Sequence, residues 1–168
     1  GIIFAMILDG AAFSSRTVSD YVDWGTAKEW QAYRNQFTTL FVDLDGVLVL
    51  NSGQFTEPKW GTTDSIEENV AVLNRLHETG KVHLVITTAR KEEYRDVTIE
   101  QLDKIGMRYD SIVFGLPHGK RIVVNDYAPS NPFKRCDSIN IKRNSTELRA
   151  MLEDSTGLHL DPVLSITD

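Results

Sequence analysis

The chain has a single cysteine, Cys136, among its 168 residues. One cysteine cannot form an internal disulfide, and it cannot supply the several thiolates of a structural zinc site. Long apolar runs are also missing, since a membrane-spanning helix needs roughly 20 predominantly apolar residues and the opening GIIFAMIL is far shorter. These absences argue against a disulfide scaffold, a thiolate metal site and a membrane association, and they favour a reducing, cytoplasmic location.

Positive charge is scarce as well. The chain has 18 Lys and Arg against 24 Asp and Glu, a formal net charge of -6 and a pI near 5.2. A nucleic-acid-binding protein usually carries an excess of basic residues, because these offset phosphate repulsion. A small anionic partner remains compatible, because a bound metal and a few cations can reverse the field inside a pocket. We therefore expect a small anionic substrate and no nucleic acid.

The first 36 residues differ in pattern from the rest of the chain. The apolar run Ile2–Leu8 predicts a strand and not a signal peptide, because no basic residues precede it and Asp9 comes directly after it. Further on, Thr26 is predicted to cap a helix. The predicted organisation is an N-terminal segment, a main domain and a tail, at residues 1–36, 37–154 and 155–168.

From Thr38 onward, strand-like and helix-like segments alternate. The predicted strands are TTLFVDLDGVLVL, VHLVIT, SIVFG, RIVVND and SINI. The predicted helices are SIEENVAVLNRLHETG, with Ser65 as cap and Gly80 as stop, then KEEYRDVTIEQLDKIG, and finally STELRAMLED, with Ser145 as cap. This alternation predicts an α/β fold with a parallel sheet and helices on both faces.

Polar residues follow three of these strands where each one ends. They are Asp43 and Asp45, Thr87 and Thr88, and Asn125 and Asp126. Ligands of such sheets bind at the carboxyl ends of the strands, so we expect these side chains to converge. An unpaired buried carboxylate costs several kcal/mol, so the two aspartates after the first strand need a cation or water.

The other residues near this edge suit a bound phosphate. Oxygen ligands of this type suit Mg²⁺, which usually takes one or two protein carboxylates together with phosphate and water. Gly46 allows a tight turn beside the acids, and either Lys120 or Arg121 supplies a positive charge. The sequence therefore predicts a phosphate cradle with a metal on one side and a fixed cation on the other.

These motifs resemble those of the haloacid dehalogenase superfamily. FVDLDGVLV resembles its motif I, LVITTAR its motif II, and GKRIVVND its motifs III and IV run together, in the family's order over residues 38–153. The resemblance implies a Rossmann-like three-layer sandwich and a phosphoric monoester hydrolase. Because the loop Asn51–Gly61 is short, no large cap domain is expected.

The resemblance also implies catalytic roles. Asp43 would attack phosphorus and form an aspartyl-phosphate. Asp45 would protonate the leaving oxygen and then activate water. Thr88 would hydrogen-bond the transferring phosphoryl group, with Thr87 as the alternative. Lys120 would stabilise Asp43, with Arg121 as the alternative.

The resemblance further implies a magnesium site and substrate contacts. Mg²⁺ would be held by the Asp43 carboxylate, the Asp45 backbone carbonyl and the Asn125–Asp126 pair. That pair departs from the family, where motif IV usually begins with an acid: either Asn125 is a neutral ligand or Asp126 takes the metal itself. The residues expected to contact substrate are Thr87, Arg90, Gly46 and Arg121.

A second stretch, DYVDWGTAKEWQAYR, resembles the C-terminal end of bacterial sugar nucleotidyltransferases. This implies that the chain is the phosphatase half of a longer bifunctional protein, with a nucleotidyltransferase as fused or associated partner. The substrate would then be a phosphorylated sugar or polyol of surface polysaccharide synthesis. The sequence leaves three alternatives open, a nucleotide phosphatase, a polynucleotide-end phosphatase and a catalytically weak phosphate-binding module, and it leaves homo-oligomerisation open as well.

Overall fold

The computed structural model describes residues 2–14, 16–17, 25–34, 36–127 and 135–156. The chain consists of two compact units, Gly1–Asn35 and Gln36–Asp168. The predicted tail from residue 157 onward lies outside the described residues. The elements, in chain order, are α1 (Ile2–Leu8), α2 (Ala27–Arg34), β1 (Thr38–Asp43), α3 (Glu67–Glu78), β2 (Val82–Thr87), a 3₁₀ turn (Glu92–Tyr94), α4 (Arg95–Lys104), β3 (Ser111–Val113) and α5 (Leu148–Thr156).

The N-terminal unit corrects one prediction and confirms another. Ile2–Leu8 forms helix α1 and not a strand, because a short run that is apolar on all sides has no periodicity to separate the two. The predicted cap at Thr26 is confirmed. The Glu29 amide donates to Thr26 Oγ1 at 3.2 Å, and the Thr26 amide donates to Glu29 Oε2 at 2.8 Å. This reciprocal pair is a capping box, and it fixes the start of α2.

In the second unit, β1, β2 and β3 form a parallel sheet in that order. The fold is therefore α/β, as the alternation predicts. The register places Asp43 beside Thr87, and Thr87 beside Val113. The last residues of all three strands therefore lie next to one another at one edge of the sheet.

The predicted fourth and fifth strands do not form in the described residues. Arg121–Asp126 pairs with no strand, and Ile122, Val123 and Val124 are exposed. The apolar run predicted a buried strand, but a continuous apolar run does not by itself specify a partner edge in a sheet. Ser138–Ile141 is not a strand either. Its two isoleucines instead pack partly against the core.

The core lies between the sheet and helices α3 and α5. Its fully buried members come from β2, from α3, from α4 and from the turn after β1, among them Leu84, Ile86, Leu73, Leu102, Leu44 and Leu48. Each such side chain contributes roughly 1.5–3 kcal/mol by leaving water. Because two of these leucines flank the turn that carries the aspartates, the core holds that turn in place.

Two predicted helix starts are wrong by a few residues. Helix α3 begins at Glu67 with Ile66 before it, and no side chain caps it, so Ser65 is not its cap. Helix α5 begins at Leu148, three residues beyond Ser145. The predicted stop at Gly80 is confirmed. Its φ of +67° is the left-handed conformation that glycine adopts at no steric cost.

Candidate functional site

The site is built on the turn that comes after β1. The Leu44 amide donates to the Thr87 carbonyl at 3.2 Å, so the chain is still tied to β2 as it leaves the strand. Gly46 then adopts a φ of +93°. Its carbonyl accepts from the Asn144 amide at 2.8 Å, and a Cβ at this glycine would lie 2.9 Å from Arg143 Cγ. Only glycine fits this conformation without strain. As placed, Gly46 shapes the turn.

Asp43 lies at the open side of the site. Its side chain is 41% exposed, and Oδ1 accepts a hydrogen bond from Arg121 Nη2 at 3.1 Å. Arg121 Nη1 also donates to Thr87 Oγ1 at 3.2 Å. A carboxylate and a guanidinium thus meet at the sheet edge within reach of solvent, next to a buried hydroxyl. The Thr87 hydroxyl donates to the Val42 carbonyl at 3.2 Å, so the donor that an incoming anion would find here is the guanidinium.

Asp45, two residues later, is in a different environment. Its side chain is only 16% exposed, and that of Arg90 is fully buried. Arg90 Nε donates to Oδ2 at 3.0 Å and Nη2 donates to Oδ1 at 2.7 Å, which is a bidentate pair. Paired N–H···O bonds of this type fix orientation as well as supply energy. Both carboxylate oxygens of Asp45 are therefore occupied.

The remaining guanidinium nitrogen of Arg90, Nη1, is bound by side chains of α4. Nη1 donates to Thr98 Oγ1 at 3.1 Å and to Gln101 Oε1 at 2.9 Å. Gln101 Nε2 in turn donates to the carbonyl and hydroxyl oxygens of Thr63, at 2.8 and 3.0 Å. Trp60 lies beside the guanidinium, 5.9 Å from ring centroid to Cζ. The result is a buried polar network with Arg90 at its centre.

The two threonines at the end of β2 have different roles. Thr87 Oγ1 is the one that meets Arg121, on the side of Asp43. Thr88 is fully buried, and its hydroxyl accepts from the Arg90 amide at 3.1 Å. As placed, Thr87 belongs with the exposed aspartate and Thr88 with the buried network. This differs from the expectation that Thr88 contacts the phosphoryl group.

Other predicted site residues are not brought into the cluster. Lys120 is exposed, and the cation that contacts Asp43 is its neighbour Arg121. Asn125 and Asp126 are exposed, and their described contact is local, from the Asp126 amide to Asn125 Oδ1 at 3.0 Å. Arg90 was expected to face substrate, yet in the structure its whole side chain faces the protein interior.

The network behind Arg90 was missed from the sequence. Thr98 and Gln101 lie three residues apart on α4, so they share a face of the helix with buried Leu102. The position of these two polar residues on the same helix face as an apolar residue could have indicated a buried polar network, since buried polar groups need hydrogen-bond partners. The sequence does not say which partner they meet.

The residues on the Asp43 side of the site could bind magnesium, whereas the Asn125–Asp126 pair does not lie with them. Asp43 offers an exposed carboxylate, which is the ligand chemistry a hard cation prefers. Asp45 has both side-chain oxygens on Arg90, so its backbone carbonyl is the group left to contribute. Over the residues that the structure describes, no three His, Cys, Asp or Glu side chains come together as a metal site. The Asn125–Asp126 half is therefore not assembled with Asp43.

A second polar cluster lies at the opposite end of β2. Asp110 Oδ2 accepts from the Leu84 amide at 2.7 Å, and it lies 3.4 Å from His77 Nε2 and 3.3 Å from His83 Nδ1. The Leu84 hydrogen bond, with help from the histidines, holds the pKa of the Asp110 carboxyl below its usual value. This carboxylate fastens the chain before β3 to β2 and takes no part in the candidate site.

Within the described ranges, none of the helices has the length and apolar character needed to cross a bilayer. Models of known protein families gave no match to the chain, and neither did the curated proteins. Among solved structures, the chain is similar to a structural-genomics target from Vibrio cholerae, at 23% identity and a TM-score of 0.40. That likeness covers 56% of this chain and 85% of the other.

Proposed function

We propose that this chain is a magnesium-dependent phosphomonoesterase of the haloacid dehalogenase type, with Asp43 as nucleophile and Asp45 as general acid and base. The observation that carries the proposal is the contrast between these two aspartates. Asp43 is partly exposed and contacts Arg121, which also binds Thr87. Asp45 is instead paired with Arg90, whose side chain is fully buried. One carboxylate is free to react with a substrate, and the other is held in a fixed orientation.

Each group at the open edge has a use in phosphoryl transfer. The Asp43 carboxylate is the nucleophile, and the phosphorylated aspartate is then hydrolysed by water. Arg121 would donate hydrogen bonds to the phosphoryl oxygens, where negative charge is spread in the transition state, and Thr87 would hold the guanidinium in place by accepting from its Nη1. Asp45 gives its proton to the leaving oxygen and takes one from the attacking water.

Magnesium would be held by the Asp43 carboxylate and the Asp45 backbone carbonyl, with either Asn125 or Asp126, which the structure leaves apart from Asp43, as a further ligand. It would neutralise charge between the nucleophile and the phosphate. The ligand set is supported by the sequence resemblance and, on the Asp43 side, by the exposure of that carboxylate. The roles given above to Asp43, Asp45 and Arg121 do not depend on which residues complete this ligand set.

The proposed substrate is a small phosphorylated sugar or polyol of surface polysaccharide synthesis, handled in the cytoplasm. Its support is the resemblance of DYVDWGTAKEWQAYR to sugar nucleotidyltransferases. Part of that stretch, Asp20–Trp24, lies outside the described residues. The net charge of -6 is a reason to prefer a small substrate over a polynucleotide end.

The test is hydrolysis of p-nitrophenyl phosphate with Mg²⁺ and after its removal by a chelator. We expect metal-dependent turnover that is lost in Asp43→Asn, because an amide cannot form the acyl phosphate. The matched control is Asp103→Asn, the same change at an exposed position on α4, and it should leave turnover unchanged. A binding module would show no turnover. Activity that survives chelation or the Asp43→Asn change would contradict the proposal.

A second measurement addresses the substrate. Sugar phosphates, polyol phosphates, nucleoside monophosphates and a 3′-phosphorylated oligonucleotide are compared by kcat/KM under the same conditions. We expect the sugar and polyol phosphates to be preferred. A preference for nucleotides or for the oligonucleotide would replace the proposed substrate class while leaving the reaction type intact.

A further inference from the structure

We propose that Arg90 is a positioning residue, which holds the carboxylate of Asp45 in the orientation needed for proton transfer and does not bind substrate. This inference rests on the proposed function, because it assigns Asp45 the role of general acid and base. It goes further in naming the residue that prepares Asp45 and in withdrawing Arg90 from the substrate-binding set.

The geometry of the pair supports a positioning role. Both oxygens of Asp45 receive a hydrogen bond from Arg90, at 2.7 and 3.0 Å, so rotation of the carboxylate about its Cβ–Cγ bond would break one or both. A planar guanidinium bound at two points leaves one plane available to the carboxylate. The orientation of the Asp45 carboxylate is therefore fixed, and so is the direction of the lone pairs that Arg90 does not use.

The guanidinium is itself held from behind. Its third nitrogen, Nη1, is bound by Thr98 and Gln101 on α4, and the main-chain amide of Arg90 is bound by the hydroxyl of Thr88. The main-chain carbonyl accepts from the Gly115 amide at 2.8 Å. A cation fixed at both its side chain and its backbone is well suited to set the position of another group.

Burial argues against a substrate contact. The Arg90 side chain has no exposed surface, so a phosphate in solvent would have to displace Asp45, Thr98 or Gln101 to reach it. Arg121, by contrast, is 42% exposed and contacts Asp43. Of these two arginines, Arg121 is accessible to an incoming anion and Arg90 is not.

A positioning role has a kinetic signature. A general acid matters most when the leaving group is a poor one, because an alkoxide needs its proton during bond cleavage whereas a nitrophenolate does not. Misalignment of Asp45 should therefore slow the hydrolysis of alkyl phosphates far more than that of p-nitrophenyl phosphate. Loss of a substrate contact, or a general loss of folded protein, would slow both by the same factor.

The experiment compares kcat/KM for glycerol phosphate and for p-nitrophenyl phosphate in the wild type and in Arg90→Lys. Lysine keeps the positive charge but loses the two-point contact. We expect a loss of about 10- to 100-fold for the alkyl ester and of no more than about threefold for the aryl ester. The control Arg108→Lys makes the same change at an arginine that forms an exposed ion pair with Glu78, and it should change neither value.

A second variant keeps the test decisive if Arg90→Lys fails to fold. Thr98→Val preserves the shape of the side chain, removes one anchor of Nη1 and leaves the Arg90–Asp45 pair in place. We expect a smaller loss, again greater for the alkyl ester. Thermal unfolding of each variant establishes that the measured protein is folded.

The inference is overturned if the folded variants lose the same factor on both esters, or if KM alone rises with kcat unchanged, since that pattern indicates a substrate contact. In those cases the proposed function would still stand on the metal dependence and on Asp43→Asn. If the wild type hydrolyses neither ester, the proposed function fails and the assignment of Arg90 fails with it.

Discussion

Two aspartate–arginine pairs lie at the end of β1 and in the turn that follows it, and they differ in exposure and in hydrogen bonding. Asp43 and Arg121 are both about two-fifths exposed and share a single hydrogen bond. Asp45 and Arg90 share two, and Arg90 is fully buried with further partners on α4. The residue types are the same and the aspartates are two positions apart, so the difference comes entirely from what surrounds each pair.

Burial changes what each pair contributes. An exposed ion pair is worth about 0–1 kcal/mol, because water screens the charges and the long side chain loses entropy. Breaking a buried pair costs several kcal/mol, because the remaining charge is left without partners. The Asp45 pair is therefore part of the folded framework, whereas the Asp43 pair can be exchanged for a ligand at little cost. Substitutions in and around the two pairs test this contrast.

The largest expected effect is on stability. Arg90→Gln should lower the free energy of unfolding by about 3–5 kcal/mol, because it leaves the Asp45 carboxylate unpaired in a largely buried site. The same change at Arg121 should lower it by no more than about 1 kcal/mol. Urea unfolding monitored by circular dichroism gives both values. Equal losses at the two positions would show that the pairs are energetically alike.

The next effect is on activity and separates two neighbouring cations. Arg121→Gln should lower kcat/KM for a phosphomonoester by roughly 10- to 100-fold, the cost of losing a hydrogen bond to a charged group. Lys120→Gln is the matched control, and we expect it to stay close to the wild type because Lys120 does not contact Asp43 in the structure. Steady-state kinetics of the two variants give the comparison. The opposite order would make Lys120 the phosphate-binding cation.

The smallest effect separates the two threonines at the end of β2. Thr87→Val should lower kcat/KM by about five- to tenfold, because Arg121 loses the hydroxyl that accepts from its Nη1. Thr88→Val should instead lower the free energy of unfolding by about 1–2 kcal/mol, because the buried Arg90 amide loses its acceptor. Kinetics and urea unfolding of both variants are compared. A larger kinetic loss in Thr88→Val would return the phosphoryl contact to that residue.

The regular elements of the second unit could be predicted to within a few residues. Strands β1 and β2 have dense apolar runs, and α3 has the helical spacing of Val70, Leu73 and Leu76 together with a glycine stop. Such patterns are local, so the sequence displays them directly. Two other short apolar runs were interpreted wrongly, because a continuous apolar run does not by itself distinguish a strand from a helix or from an irregular segment. Ile2–Leu8 is a helix, and the run Ile122–Val124 forms no strand.

Of the candidate site, the turn with Asp43, Asp45 and Gly46 was predictable because those residues are close in sequence. The choice between Lys120 and Arg121, and between Thr87 and Thr88, was not, because adjacent residues differ only in which way they face. The metal ligands Asn125 and Asp126, the aspartyl-phosphate route and the sugar phosphate substrate remain predictions.

The sequence by itself determined that two carboxylates come at and after the end of an apolar strand and that strands and helices alternate around them. It also predicted that strand to be buried, which is wrong, since β1 buries Val42 but leaves Phe41 exposed. Only the tertiary structure decided that the two carboxylates are unequal. Arg90 is 45 residues from Asp45 in the chain, and it meets that aspartate because β1 and β2 are neighbours and α4 supplies Thr98 and Gln101 behind it. Burial depends on contacts between distant segments, and it is burial that makes one aspartate a fixed part of the fold and leaves the other open to a substrate.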